Sequence, residues 1–152
     1  MSKPARRAVY FLNGPNANLY GLTDKGTYGS DTFETLQARC EAEAKRLSIS
    51  LAFRQSNSEG RLVDWIQEAI AKADGVIING AGLTYTSIAL LDALMAFKGP
   101  IVEVHMSNIY RREAFRHHSY ISKAATGIVA GLGADGYELA VAAMRRLLDR
   151  KN

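Results

Sequence analysis

The sequence predicts an α/β domain in which a five-stranded parallel sheet is covered by helices on both faces. Short apolar runs that suit strands alternate with longer amphipathic segments that suit helices. Most of the strand candidates are apolar throughout, as strands buried on both faces are. The 152 residues contain no internal repeat and no Pro/Ser-rich linker, so we expect one domain, residues 1–152. Five such strands favour a flavodoxin-like three-layer sandwich with strand order 2-1-3-4-5.

The apolar runs place the strands. Residues 8–12 (AVYFL) end at Asn-Gly-Pro and predict a buried first strand. Residues 49–54 alternate apolar and polar side chains, which predicts a more exposed second strand. The third, fourth and fifth strands are expected at residues 76–78, 101–104 and 127–130.

Four segments predict helices. The first begins at Asp31, which has capping-box spacing to Glu34, and runs to about Leu47. The others are expected at residues 59–73, 86–97 and about 134–150. Ligands of such sheets bind beyond the carboxyl ends of the strands, where the winding reverses. We therefore expect the site between strands one and three, among the loops at residues 13–30, 79–87 and 105–116.

Composition and charge exclude several classes of protein. No apolar run could span a membrane, and no apolar segment of signal-peptide type follows the basic N-terminal residues. The single cysteine, Cys40, cannot form an internal disulfide and suits a packing position in a cytoplasmic protein. The net charge of +4 lies largely near the ends, including Lys3 and Lys151, without the interleaved aromatics of a nucleic-acid face. We expect a small anionic ligand and no nucleic acid.

Residues 131–136 (GLGADG) have the G-x-G-x-x-G spacing of a dinucleotide fingerprint. That fingerprint belongs to the first βαβ unit and needs a following strand with an acidic residue about 20 positions on. Only 16 residues follow, and they read as one helix. We interpret the glycines as a tight turn with close helix–strand packing.

Glu103 and His105 stand two positions apart at a strand end and therefore share a face. Glu103 can orient His105 as a general acid. A core histidine paired with a carboxylate is the structural alternative. A metal site that includes His117 and His118 is a third reading, but these two are adjacent and no zinc-binding spacing is present, so no metal is expected.

The loop at residues 13–30 has 18 residues, a length typical of binding loops. Tyr28 near its end is either a ligand-contacting residue or a loop anchor. Arg116 follows Arg111 and Phe115 in a basic, aromatic stretch that suits either a binding site or a solvated face.

Taken together, these segments resemble type II 3-dehydroquinate dehydratases. The likeness runs in order along nearly the whole chain. The segments that carry it are residues 13–19 (NGPNANL), 28–30 (YGS), 53–57 (FRQSN), 103–108 (EVHMSN) and 112–120 (REAFRHHSY).

The resemblance implies a flavodoxin-like fold, no metal or cofactor, and a homododecamer built from trimers. It also implies a lyase that removes water from 3-dehydroquinate through an enolate, in aromatic biosynthesis by the shikimate pathway or in quinate metabolism. Tyr28 matches the base that removes the C2 proton, His105 the acid, Glu103 its orienting partner, and Asn13 the residue that holds a water near the enolate oxygen. The matching substrate-binding positions are Asn79, Tyr85, Met106, Ser107 and Arg116, with Asp92 reaching a neighbouring subunit's site.

The chain departs from the family pattern at three places. Thr23 stands where a loop arginine helps to stabilise the phenolate of the base, and Lys25, two residues on, is a candidate replacement. Tyr85 replaces the histidine of a T-H-T-S segment. Residues 79–82 (NGAG) replace the usual N-P-G-A.

Three functions follow from these patterns. The first is a working 3-dehydroquinate dehydratase of normal or reduced rate. The second is an enzyme of the same chemistry that acts on a different cyclic hydroxy acid, with Tyr85 as the specificity change. The third is a catalytically weak ligand-binding paralogue, which has no need of a base and an acid together.

Overall fold

The computed structural model describes residues 6–150, so Lys3 and Lys151 lie outside the described residues. Five parallel strands form one sheet in the order β2-β1-β3-β4-β5, as predicted. Each strand agrees with its predicted range to within one residue at either end. The strands are β1 (Arg7–Asn13), β2 (Ile49–Gln55), β3 (Gly75–Asn79), β4 (Ile101–His105) and β5 (Gly127–Ala130).

Helices cover both faces of the sheet and complete the flavodoxin-like sandwich. They are α1 (Lys25–Tyr28), α2 (Phe33–Arg46), α3 (Glu59–Lys72), α4 (Ile88–Ala96) and α5 (Gly133–Asp149). Helices α2 and α5 pack together on one face, and α3 and α4 pack together on the other. Within residues 6–150 no helix has the length and apolar character needed to cross a bilayer.

Two apolar cores explain why the central strands are apolar throughout. Phe11 belongs to the core beneath α2 and α5, and the next residue, Leu12, belongs to the core beneath α3 and α4. Both are fully buried, because successive strand residues point to opposite faces. Burying one such side chain contributes about 1.5–3 kcal/mol. Cys40 is fully buried in the first core, where burial raises the pKa of its thiol to about 12.

Two sequence predictions about helix boundaries were wrong. The N-cap of α2 is Thr32 rather than Asp31, since the Thr32 side chain accepts the Thr35 N–H at 3.1 Å. Helix α4 begins two residues later than predicted, because residues 81–85 form a 3₁₀ helix and the Ser87 side chain caps α4. The loop at residues 13–30 contains a 3₁₀ turn at Ala17–Leu19 and the one-turn helix α1.

The glycine-rich segment begins with the tight turn expected from the sequence, since residues 131 and 132 connect β5 to α5, and its residues 133–136 form the first turn of α5. Gly131 has a φ of +87°, and a Cβ there would lie 3.1 Å from the Cβ of Asn108. Within α5, a Cβ on Gly136 would lie 3.5 Å from Val129 of β5. This is an ordinary van der Waals distance, so close helix–strand packing does not require a glycine at position 136.

Candidate active site

A cavity of about 180 Å³ opens at the carboxyl ends of β1, β3 and β4. This is the point where the winding of the sheet reverses, so the cavity lies where the strand order predicts a ligand site. All three of the predicted loops contribute to its wall. The residues that line it include Tyr20, Thr23, Tyr28, Asn79, Tyr85, His105, Met106, Ser107, Arg112 and Arg116.

Glu103 and His105 form a buried pair at the end of β4. The His105 Nε2 lies 2.5 Å from Glu103 Oε2, and the two side chains share a face as their spacing predicts. Ser119 Oγ donates to Oε2 at 2.8 Å, and Ser122 Oγ donates to Oε1. Burial raises the pKa of Glu103, but the hydrogen bonds from His105, Ser122 and Ser119 outweigh it and hold that pKa below its usual value. Glu103 is therefore an ionised, fully bonded partner that fixes the His105 ring.

Tyr28 is the last residue of α1 and is half-buried. Asp24 caps the N-terminus of this helix, and its side chain accepts the Thr27 N–H at 3.2 Å. The Tyr28 ring packs against that of Tyr20, with ring centroids 4.9 Å apart. Local capping and this aromatic contact together position the phenol at the cavity.

A guanidinium group lies beside the Tyr28 phenol, and it belongs to Arg112. Its Nη1 donates to the Tyr28 hydroxyl oxygen at 3.1 Å and to Ser107 Oγ at 3.3 Å. The Arg112 Cζ also lies 5.4 Å from the centre of the Tyr28 ring. Thr23 lines the cavity, whereas Lys25 is exposed and is not part of the cavity wall. The cation next to Tyr28 is thus supplied by Arg112 rather than by Lys25.

Tyr85 lies between His105 and Arg116. Its ring is roughly parallel to that of His105, with centroids 6.4 Å apart, and the Arg116 Cζ lies 5.3 Å from its centre. Arg116 is held in turn by Glu113, which accepts its Nε–H at 2.7 Å. Burial raises the pKa of Tyr85 against the opposing effect of Arg116, so the phenol is neutral near pH 7. This wall therefore offers one fixed cation and one neutral hydroxyl.

A buried chain of hydrogen bonds runs behind the cavity. Asn79 Nδ2 donates to the hydroxyl oxygens of Tyr20 at 2.8 Å and of Tyr137 at 2.7 Å. The Tyr137 hydroxyl donates to Asn13 Oδ1 at 2.7 Å, and Asn13 Nδ2 donates to the carbonyl of Arg54 at 3.1 Å. We refer to this set, from Asn13 to Tyr20, as the amide–tyrosine chain.

The cavity brings together most of the side chains predicted from the sequence. Glu103 lies directly behind His105. Asn13 is fully buried with both ends of its amide bonded, and it is not part of the cavity wall. Asp92 is exposed on α4 and does not line the cavity within the single chain. The predicted residues on the wall are Tyr28, Asn79, Tyr85, His105, Met106, Ser107 and Arg116.

Four further residues of the site were not assigned from the sequence. Arg112 stands in a run of basic residues that suits a solvated face, so the sequence does not indicate its contact with Tyr28. Tyr20 resembles an ordinary aromatic residue of a loop. Ser119 and Ser122 could have been found from one sequence feature, since they are two hydroxyl residues three positions apart in the segment after the fourth strand.

The remaining histidines bond to backbone carbonyls. His117 Nε2 lies 3.0 Å from the oxygen of Arg112, and His118 Nε2 lies 2.9 Å from the oxygen of Tyr85. Between residues 6 and 150 no group of three or more His, Cys, Asp or Glu side chains is placed to hold a metal ion. These histidines instead support the backbone on either side of the cavity.

Comparison with known proteins gives one consistent result. The family model for dehydroquinase class II matches residues 7–145. A 3-dehydroquinate dehydratase from Bartonella tribocorum is 53% identical over 133 residues, which cover 88% of this chain and 89% of that protein. The crystal structure of a type II dehydroquinase from Butyrivibrio crossotus aligns with a TM-score of 0.90 at 35% identity, over 93% of this chain and 99% of that one. A type II dehydroquinase from Propionibacterium acnes aligns with a TM-score of 0.88 at 40% identity, over 96% and 98% of the two chains.

Proposed function

This chain belongs to the class II dehydroquinase family, and on that premise we propose that it removes water from 3-dehydroquinate to give 3-dehydroshikimate. One observation carries the proposal: a phenol beside a guanidinium and an imidazole beside a buried carboxylate line the same cavity. The first pair suits a base and the second an acid. A reaction that moves one proton off carbon and one proton onto a leaving hydroxyl needs both.

In the first step, the Tyr28 phenolate takes the proton from C2, and the C–H electron pair passes into an enolate whose charge rests on the C3 oxygen. A phenol is largely protonated at neutral pH, so the phenolate needs a cation beside it. Arg112 is the group that supports this role, because its Nη1 donates to the Tyr28 oxygen at 3.1 Å. Arg112 thereby supplies part of the phenolate stabilisation that the family's loop arginine, replaced here by Thr23, is expected to give.

In the second step, the enolate expels the C1 hydroxyl, which takes a proton from His105 and leaves as water. Hydrogen bonding of Nε2 to Glu103 leaves Nδ1 as the ring nitrogen for this transfer. The carboxylate of Glu103 stabilises the imidazolium before the transfer and holds the ring in place. Tyr28 then loses its extra proton to water and His105 regains a proton from water, which resets the site.

Substrate binding falls to the other side chains of the cavity. Arg116 is proposed to face a carboxylate or hydroxyl of the ligand, since its guanidinium lines the cavity and Glu113 fixes its position. Met106 and Ser107 follow His105 directly and are proposed as ligand contacts. Asn13 was expected to hold a water near the enolate oxygen. Its buried amide donates one Nδ2 hydrogen to the Arg54 carbonyl, which leaves the second for such a water, and it also supports Asn79 through Tyr137.

We further propose that the protein assembles from trimers, in which Asp92 completes a neighbouring subunit's site. The exposed surface of α4 supports this, because Ile88 and Met95 on the same helix are 56% and 58% exposed. Large apolar side chains exposed together are typical of an interface. Multi-angle light scattering on the purified protein gives the mass directly, and a monomer at working concentration would contradict the role of Asp92.

The Tyr85 wall favours a second candidate, the same chemistry on a different cyclic hydroxy acid. Tyr85 is 9% exposed and contacts both His105 and Arg116, so a change at this position alters the groups that face the substrate. The two candidates differ in one measurement, the ratio of kcat/KM for 3-dehydroquinate to that for ring-substituted analogues.

The direct test is an assay of the purified protein with 3-dehydroquinate, in which absorbance of the conjugated enone product is followed. Saturable turnover that disappears in Tyr28→Phe is expected. Binding of 3-dehydroquinate without turnover would contradict the first candidate and favour the second or a ligand-binding paralogue. Titration calorimetry on the same preparation measures the binding of 3-dehydroquinate and so distinguishes binding without turnover from no binding.

A further inference from the structure

The Asn79 side chain has no hydrogen left for a ligand, although it lines the cavity. The Ala81 N–H donates to Asn79 Oδ1 at 3.0 Å, which fixes the oxygen end of the amide. Both hydrogens of Nδ2 are then donated, one to Tyr20 and one to Tyr137. An amide carries two donor hydrogens and no more. The direct polar contact that Asn79 was predicted to make with substrate is thus taken by tyrosines of the protein itself.

Hydrogen bonding also fixes the direction of the whole amide–tyrosine chain. Tyr137 donates to Asn13, so its oxygen is the acceptor for Asn79. Asn79 donates to Tyr20 in the same way. The Tyr20 hydroxyl is therefore an acceptor toward Asn79, and what it offers elsewhere is its own proton. Tyr20 is the end of the chain that reaches the cavity wall together with Asn79.

The place of Tyr20 relative to the base limits what that proton can meet. The Tyr20 and Tyr28 rings are packed 4.9 Å apart, and both side chains line the cavity. A substrate placed with C2 at Tyr28 has oxygens on the two neighbouring carbons, C1 and C3. The C1 hydroxyl goes to His105, and the C1 carboxylate is best matched by a cation such as Arg116. The C3 oxygen is the one for which no side chain of the cavity wall has been assigned.

We propose that Tyr20 is a substrate-contacting residue whose hydroxyl donates to the C3 oxygen and stabilises the enolate. The proposal rests on the function proposed above. Tyr20 would then make the hydrogen bond to the C3 oxygen that strengthens as negative charge develops there. A donor held in place before the reaction is most effective where charge appears only in the transition state.

The protonation state of Tyr20 is consistent with this role. Burial raises the pKa of Tyr20 to about 12, although the hydrogen bond from Asn79 lowers it. The Tyr20 hydroxyl therefore stays protonated near neutral pH. The two neighbouring tyrosines thus have different roles, with Tyr28 taking a proton and Tyr20 keeping its own.

The test compares Tyr20→Phe with the unaltered protein, using two ligands. The first is 3-dehydroquinate, for which we expect a fall in kcat of about 10²-fold, the usual cost of one lost oxyanion donor. The second is an inhibitor, the cyclohexene analogue that keeps the ring carboxylate and the C1, C4 and C5 hydroxyls but has no oxygen on C3. Its Ki should change by less than about threefold, because the lost hydrogen bond is absent from that complex.

Tyr10→Phe is the matched control. Tyr10 lies on β1, and its hydroxyl donates to Glu68 at 2.5 Å, away from the cavity wall. We expect a kcat within about twofold of the unaltered protein for this variant, which also loses one hydrogen bond of a tyrosine.

Each other outcome counts against a definite statement. A kcat for Tyr20→Phe near that of the unaltered protein overturns the contact with the C3 oxygen and leaves the dehydratase function standing. A rise in the Ki of the analogue as large as the loss in kcat/KM means that Tyr20 shapes the cavity or binds the carboxylate, which also overturns the assignment. Absence of turnover in the unaltered protein overturns the proposed function and this inference together.

Discussion

The acid and the base of the proposed reaction are held in very different ways. His105 ends a central strand, and its partner Glu103 is fully buried and accepts hydrogen bonds from three side chains. Tyr28 ends a four-residue helix, is half-buried and receives one hydrogen bond, from Arg112. The geometry of the acid is therefore part of the fold, whereas that of the base depends on one loop and one arginine. Changes at the acid should cost stability and activity together, and changes at the base should cost activity alone.

The largest effects are expected from removing each group in turn. Tyr28→Phe and His105→Ala should each lower kcat by about 10²–10⁴-fold. The stability effects should differ: His105→Ala leaves the buried Glu103 carboxylate without its main partner and should cost about 3–5 kcal/mol. Tyr28→Phe should cost less than about 1 kcal/mol, because it loses one partly exposed hydrogen bond. Steady-state kinetics and urea unfolding measure the two quantities.

Tyr110→Phe is the control for these variants, since Tyr110 is 63% exposed and does not line the cavity. It should match the unaltered protein in both kcat and stability. Equal losses of stability for Tyr28→Phe and His105→Ala would contradict the statement that the acid is held by the fold and the base by one loop and one arginine.

The acid side should also respond to pH through Glu103. Its pKa is lowered in the folded state, so the stability that it contributes is present above the ordinary glutamate value, about 4.3, and is lost as pH falls through the lowered value. One such group changes the free energy of unfolding by at most about 1.4 kcal/mol per pH unit. Glu103→Gln should therefore have a flatter profile of stability between pH 3 and 5. An unchanged profile would show that Glu103 is not ionised in the folded protein.

Smaller effects are expected on the base side, where the chain departs from the family pattern. Thr23→Arg adds a second cation at the cavity and should raise kcat/KM a few-fold, on the order of 1 kcal/mol. The gain is limited because Arg112 already contacts Tyr28. Tyr85→His should act in the same cavity, so the double variant should exceed the product of the two single gains. A double variant no better than the unaltered protein on 3-dehydroquinate would instead favour a different substrate.

The smallest effect concerns the backbone of the wall. Ala81 has a φ of +50°, a left-handed conformation that costs a non-glycine residue about 1 kcal/mol. Ala81→Gly should raise the free energy of unfolding by up to about 1 kcal/mol, since glycine adopts this conformation freely. Ser48 has a similar φ of +57° in the loop before β2, far from the cavity, so Ser48→Gly is the comparison variant for this effect on stability. A loss of stability in Ala81→Gly would mean that the turn carries no strain.

The sheet could be predicted from the sequence because local patterns determine it. Runs such as residues 8–12 are apolar because a strand covered on both faces buries every side chain, and this pattern is visible within the strand itself. The order of the strands follows from their parallel connections. Glu103 and His105 were paired correctly for the same reason, since two positions on a strand share a face. The contact of Arg112 with Tyr28 joins residues 84 positions apart, and no local pattern specifies it. The same holds for the link from Asn79 to Tyr20, which spans 59 positions.

The burial of Cys40 has a practical consequence for following, in solution, the loop at residues 13–30 that carries Tyr28. Thiol reagents attack the thiolate, and a fully buried thiol with a pKa of about 12 forms almost none of it at pH 7–8. A cysteine introduced on the exposed part of the loop, for example Leu22→Cys, would therefore be the reactive thiol among residues 6–150. Leu22 is 68% exposed and lies between Tyr20 and Tyr28 in the chain. A maleimide dye at this position would report loop movement with almost no background labelling of Cys40.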